Sequence, residues 1–127
     1  MFSSRLWIVA AAPAAFVAPA AAQAPAPSAV TIELASFSFS PTPIHLAAGR
    51  PVTLTFANRA SSGHDFTAKE FFAAATITAG SAPGGKIPLA AHETKSITLV
   101  PRAGTYQAHC SHFLHASMGM TDQIVVD

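Results

Sequence analysis

The residues most able to do chemistry lie together near the end of the chain: Cys110, His115, Met118 and Met120, with His109 and His112 interleaved. The pattern reads as a strand that delivers a cysteine, a short loop that delivers a histidine, and a methionine just ahead of a final strand. A soft thiolate, an imidazole and a thioether close in sequence suit copper better than calcium, magnesium or manganese. Cys110 is the only cysteine, so the chain has no intrachain disulfide. A cysteine by itself is more often an inert buried thiol than a ligand. Joined to His115, Met120 and a second histidine, it completes the set of a blue copper site: two histidines and a cysteine in a trigonal arrangement with a long, weak axial methionine.

The second histidine must come from elsewhere, and His64 is the natural candidate. It follows Asn58 and opens the segment after an apolar strand, at the end of the fold where the Cys110–Met120 loop turns over. His109 is expected to face away from Cys110, because neighbours alternate across a sheet. His112 is too near the cysteine to reach the same metal easily and is expected on the exposed loop. His45 and His92 sit beside turns and are expected to face solvent, and Tyr106 to pack in the core. Asp65, next to His64, has two readings: a carboxylate that accepts N–H bonds from the Cys110 loop and ties the ligand segments together, or an ordinary surface carboxylate.

The elements that would position these residues are strands. Val30, Ile32 and Leu34 alternate with polar neighbours, as do Val52, Leu54 and Phe56, then Ile97 and Leu99. Tyr106, Ala108 and Cys110 share a face, and Ile124 and Val126 close the chain. Alternation over short segments punctuated by Gly, Pro and Asn marks half-buried strands, and several of them argue for a β-sandwich or barrel. One short helix is predicted over Lys69–Ala75, with Phe71 and Phe72 available to pack on a sheet, followed by a loop from Gly80 to Gly85.

Ahead of this domain, Arg5 precedes an apolar run from Leu6 to Val17, and Ala20-Ala21-Ala22 supplies a small-residue cleavage pattern. Residues 1–22 therefore read as a secretory signal peptide, too short and too broken by Pro13 and Pro19 for a spanning helix. Residues 23–29 read as a disordered leader and residues 30–127 as the domain. The mature part, about 105 residues, is long enough for a modest core. Seven basic and six acidic residues nearly cancel, with no basic cluster, which argues against nucleic acid or anionic membrane partners.

The stretch from about Val30 to Asp127 resembles the cupredoxin family, especially its short periplasmic single-domain members. The resemblance rests on Asn58, His64, Gly104-Thr105-Tyr106, Cys110, His115 and Met120, which match an Asn, a His several residues on, and Gly-Thr-Tyr leading to Cys-x4-His-x4-Met. It implies an all-β, Greek-key β-sandwich and copper held by His64, Cys110, His115 and Met120. Gly119-Met120 running into the last strand fits the family better than Met118, although both offsets occur.

Two features depart from the family. Many relatives carry Pro-Gly before the loop histidine, where this chain has Phe113-Leu114; the missing proline leaves room for an extra N–H bond to the Cys110 sulfur, which would lower the reduction potential. His109 before Cys110 is similar to a multicopper-oxidase signature, but Ser111 stands where the next histidine belongs and His112 is one place late.

Four protein ligands leave no open position for a substrate, so no enzyme activity is expected. The expected function is a monomeric periplasmic one-electron carrier cycling Cu(II)/Cu(I). It would dock transiently with a redox partner through an apolar patch of Phe113, Leu114, Ala116 and Met118. The alternative is a copper carrier or buffer that trades metal with a donor or acceptor protein, with His109, His112 and Met118 as transient ligands.

Overall fold

A computed structural model of the chain describes residues 2–19, 26–112, 115 and 118–127. Among the described residues, ten strands form two five-stranded sheets. The first sheet contains β1 (Ser28–Ala35), β2 (Ser38–Ser40), β4 (Val52–Asn58), β6 (Thr76–Ala79) and β8 (Thr94–Val100), in the order β2-β1-β4-β8-β6. The second contains β3 (Ile44–Leu46), β5 (His64–Thr67), β7 (Lys86–Leu89), β9 (Gly104–His109) and β10 (Thr121–Val126), in the order β3-β10-β9-β5-β7. The expected all-β sandwich with one short helix is what the chain forms.

Alternation along the strands places the core. Ile32 and Leu34 of β1, Val52, Leu54 and Phe56 of β4, Ile97 and Leu99 of β8, and Ile124 and Val126 of β10 are all buried. Phe56 of the first sheet meets Phe66 of β5 in the second at 4.8 Å between ring centres. Each such ring removed from water contributes about 1.5–3 kcal/mol, so this contact fastens β5, and with it His64, to the opposite sheet. The helix α1 spans Lys69–Ala74 and buries Phe71 and Phe72 as expected. Phe71 packs on Tyr106 at 5.5 Å.

Tyr106 packs against the core as expected, but at its margin. It is only half-buried, because its hydroxyl reaches out of the sandwich to donate to the Arg102 carbonyl at 2.9 Å. At the N-terminal side, β1 begins at Ser28, which pairs with Val52, two residues before the expected domain start. Residues 2–19 hold no regular structure, and Leu6, Trp7, Ile8 and Val9 stay exposed. Among the described residues, no helix is long and apolar enough to cross a membrane.

Candidate metal centre

The two sequence-distant ligand candidates come from neighbouring strands. β5 and β9 run antiparallel with Thr67 opposite His109, so His64 at the start of β5 and Cys110 just past β9 lie at the same end of one sheet. His64 and Cys110 are almost fully buried, at 2% and 1% exposure. His115 arrives from the loop and is half-buried.

Three potential ligand atoms converge. His64 Nδ1 lies 3.2 Å from His115 Nδ1, and Cys110 Sγ lies 3.9 Å from the first and 3.4 Å from the second. In a trigonal plane with metal–nitrogen bonds of about 2.0 Å and metal–sulfur of about 2.3 Å, ligand atoms stand about 3.5–3.7 Å apart. The observed triangle fits one small cation of that class, and its S and N donors fit copper. Ser62 Oγ stands 3.5 Å from His64 Nε2. A proton on that far nitrogen leaves the Nδ1 lone pair for the metal.

The cupredoxin-like domain family matches residues 6–126. The chain belongs to that family. Its match takes in most of the segment expected to be an export leader as well as the sandwich. Among solved structures, the cupredoxin chain is similar to dithionite-reduced auracyanin from Roseiflexus castenholzii, with 18% identity and TM-score 0.61 over 81% of this chain and 99% of that one. Auracyanin B is similar at 20% identity and TM-score 0.57, covering 79% and 88% of the two chains. A multicopper oxidase from Campylobacter jejuni superposes at TM-score 0.61 with 12% identity, covering 82% of this chain but 31% of the oxidase. No curated protein matches the sequence.

Met120 completes the cupredoxin ligand candidates by a different route. Its side chain is fully buried, whereas Met118 is 59% exposed. Cys110 N–H donates to the Met120 carbonyl at 3.1 Å, and Met120 N–H to the His115 carbonyl at 3.0 Å. The backbones of the three loop candidates are thereby tied into one hydrogen-bonded unit. Asn58 secures the fourth: its amide donates to the carbonyls of Ser62 and Ala90, both at 2.9 Å, and its Oδ1 accepts Ala60 N–H at 3.1 Å. These bonds fix the turn that leads into His64.

Asp65 has the tying role rather than a place on the surface. It is 1% exposed. Oδ1 accepts Ser111 N–H at 2.9 Å and Thr67 O–H at 2.6 Å, and Oδ2 accepts Ser111 O–H at 2.6 Å. Burial works to raise this carboxyl, but the bonds from Ser111 and Thr67 outweigh it and hold it below the usual aspartate value. The Asp65 backbone N–H points at Cys110 Sγ at 3.5 Å, joined by a bond from the His112 N–H. Burial nevertheless pushes the Cys110 thiol up, so the metal-free site keeps its proton on sulfur at neutral pH. Burial also lowers His64, helped by the neighbouring His115 and His112, which keeps its ring neutral and able to ligate.

The other expectations divide. His109, His45 and His92 are exposed, as read from the sequence. His112 is exposed too, yet it does not hang free: its ring stacks on His115 at 5.2 Å and lies 6.1 Å from His64. Phe113, Leu114 and Ala116, expected to form an apolar patch, lie outside the described residues. Sequence reasoning missed Phe37, in the turn between β1 and β2, whose ring meets His115 edge-on at 5.1 Å. Its backbone is left-handed, with φ of 61°, a conformation that an aromatic residue rarely adopts, so no composition rule would have flagged it. Ser111 and Thr67 were also missed, and only the placement of Asp65 reveals them.

Proposed function

We propose that this cupredoxin is a one-electron carrier working outside the cytoplasm, in the periplasm, with one copper held by His64, Cys110 and His115 and weakly by Met120. The observation that carries the reading is the converging triangle of Nδ1, Nδ1 and Sγ, with two of its three residues buried and His115 half-buried. Bound there, copper would supply a Cu(II)/Cu(I) couple. The protein's part is to hold the donors in one geometry for both states: β5 and the end of β9 fix His64 and Cys110, and the Asp65 carboxylate ties the two segments together. With His64, Cys110 and Met120 closed to solvent, His115 offers the partly exposed edge through which an electron can pass. Phe37, 37% exposed, and Met118 are the described apolar residues beside that edge, and a small apolar contact suits brief docking with a redox partner. No catalysis is assigned, because four protein donors leave no place for a substrate.

The exposed His112 beside the cluster supports a second reading, in which the same site carries copper between donor and acceptor proteins. Visible absorption and EPR spectra during Cu(II) titration, with Cys110→Ser alongside, test the choice. An intense thiolate-to-copper band with narrow hyperfine splitting, absent from the variant, supports the electron carrier. A protein that stays colourless and retains only Cu(I) refutes it in favour of carriage.

A further inference from the structure

Cys110 belongs to two clusters of potential ligands. One is the trio with His64 and His115; the other joins Cys110 to Asp65 and His112, and in each the ligand atoms all lie within 4.8 Å of one another. The two differ in access. His64 is buried, whereas the His112 side chain is 44% exposed and its Nε2 lies 3.6 Å from Asp65 Oδ2. Among the described residues Oδ2 accepts one hydrogen bond, from Ser111 Oγ, and a carboxylate oxygen has further acceptor capacity toward a cation. The stacked rings of His112 and His115 place the outer and inner imidazoles side by side.

We propose that Cys110, His112 and Asp65 form an outer station for a copper ion, from which the metal passes to the inner trio by pivoting on the shared sulfur. His112 takes the hydrated cation at the surface while the Asp65 carboxylate offsets its charge. The Cu–S bond forms as the Cys110 proton leaves to bulk water, with no change in oxidation state. His112 is then exchanged for His115 and His64, the sulfur remaining bound throughout, and the same steps reversed release the metal. Cys110 and His64 are almost fully buried and His112 is the exposed donor of the two clusters, so entry on the His112 side sets the rate of loading. The proposal rests on the copper reading of the inner trio and adds a path to it.

Stopped-flow mixing of metal-free protein with Cu(II), following the thiolate-to-copper band, tests the path in wild type, His112→Ala and His45→Ala. His45 is exposed on β3 and belongs to neither cluster. We expect His112→Ala to reach the wild-type final spectrum about tenfold more slowly, and His45→Ala to load like wild type. Equal rates in wild type and His112→Ala overturn the proposal, as does equal slowing in both variants. A second measurement stands apart from the blue site: Co(II) binding to His115→Ala, read by its thiolate-to-cobalt absorption. Adding His112→Ala to that background should weaken cobalt binding about tenfold or more; unchanged binding refutes the outer station. If wild type forms no blue band at all, the electron-carrier reading fails, while the cobalt result still decides whether His112 ligates.

Discussion

Replacing Asp65 by asparagine should loosen the metal-free domain in a way that depends on pH. Three donors converge on the carboxylate: Ser111 N–H, Ser111 Oγ and Thr67 Oγ1. Hydrogen bonds to a charged acceptor contribute about 1.5–3 kcal/mol each, against about 1 kcal/mol for neutral ones. Asparagine keeps one oxygen but turns the other position into a donor, so one bond is lost or rearranged and the rest weaken. Thr67 is buried and has no recourse to water, whereas Ser111 is exposed and can turn to solvent. The net cost is about 2 kcal/mol, or about 10 °C in Tm for a domain of this size. Because the folded carboxyl lies below its ordinary value, the native ties contribute fully above about pH 3.9, the unfolded aspartate value. They are lost as pH falls through the lowered folded value. Thermal melts followed by circular dichroism across this range should therefore show a level gap between wild type and Asp65→Asn near neutrality that closes in acid. No gap at neutral pH, or one that persists unchanged in acid, would refute the reasoning.

Met120→Gln should shift both the copper EPR spectrum and the reduction potential of the loaded protein, whereas Met118→Leu should leave both unchanged; the opposite pattern would make Met118 the axial ligand. Asn58→Ala strands the Ser62 and Ala90 carbonyls and the Ala60 N–H, and should cost about 2–4 kcal/mol in urea unfolding. Asn58→Asp should not restore the loss, because the amide donors are what the two carbonyls need. Asp122 is buried, and that burial raises its carboxyl despite the bond from Gln123 N–H. Its stabilising contribution is greatest in acid and is lost as pH rises through the raised folded value. Asp122→Asn should therefore gain on wild type as pH rises from about 3.9, the unfolded aspartate value, through the raised folded value; a stability difference independent of pH would count against this.

Long, half-buried strands were legible because one face meets the core and the other meets water, as in β1, β4, β8 and β10. β5 was not, and the reason lies at the site. All four residues from His64 to Thr67 are buried: Phe66 faces the sandwich core, while Asp65 and Thr67 lie beneath the Cys110 loop. A strand covered on both faces loses the period of two that betrays it. β2 and β3 hold three residues each, and β6 and β7 four, too few to establish a period. The ligand candidates were readable because donor chemistry restricts which residue types can serve, whereas Phe37, Ser111 and Thr67 act through contacts between chain-distant segments that no local pattern encodes.

The site is also divided mechanically. His64 and Cys110 are anchored to adjoining strands of one sheet, cross-tied by Asp65 and backed by Phe66 against the opposite sheet, so their separation is set before any metal arrives. His115 has weaker support: a turn bond to the His112 carbonyl, a carbonyl shared with Met118 and Met120, and the edge of Phe37. A rigid pair keeps the donor geometry nearly constant between oxidation states, which favours electron transfer. A softer third ligand candidate, on the same side as the exposed His112, is where the proposed cation would enter or leave. Under the proposed copper reading, electron transfer and metal exchange would therefore depend on different halves of one site. Substitutions behind the rigid half should alter potential and stability, and those on the loop half should alter the rates of copper uptake and release.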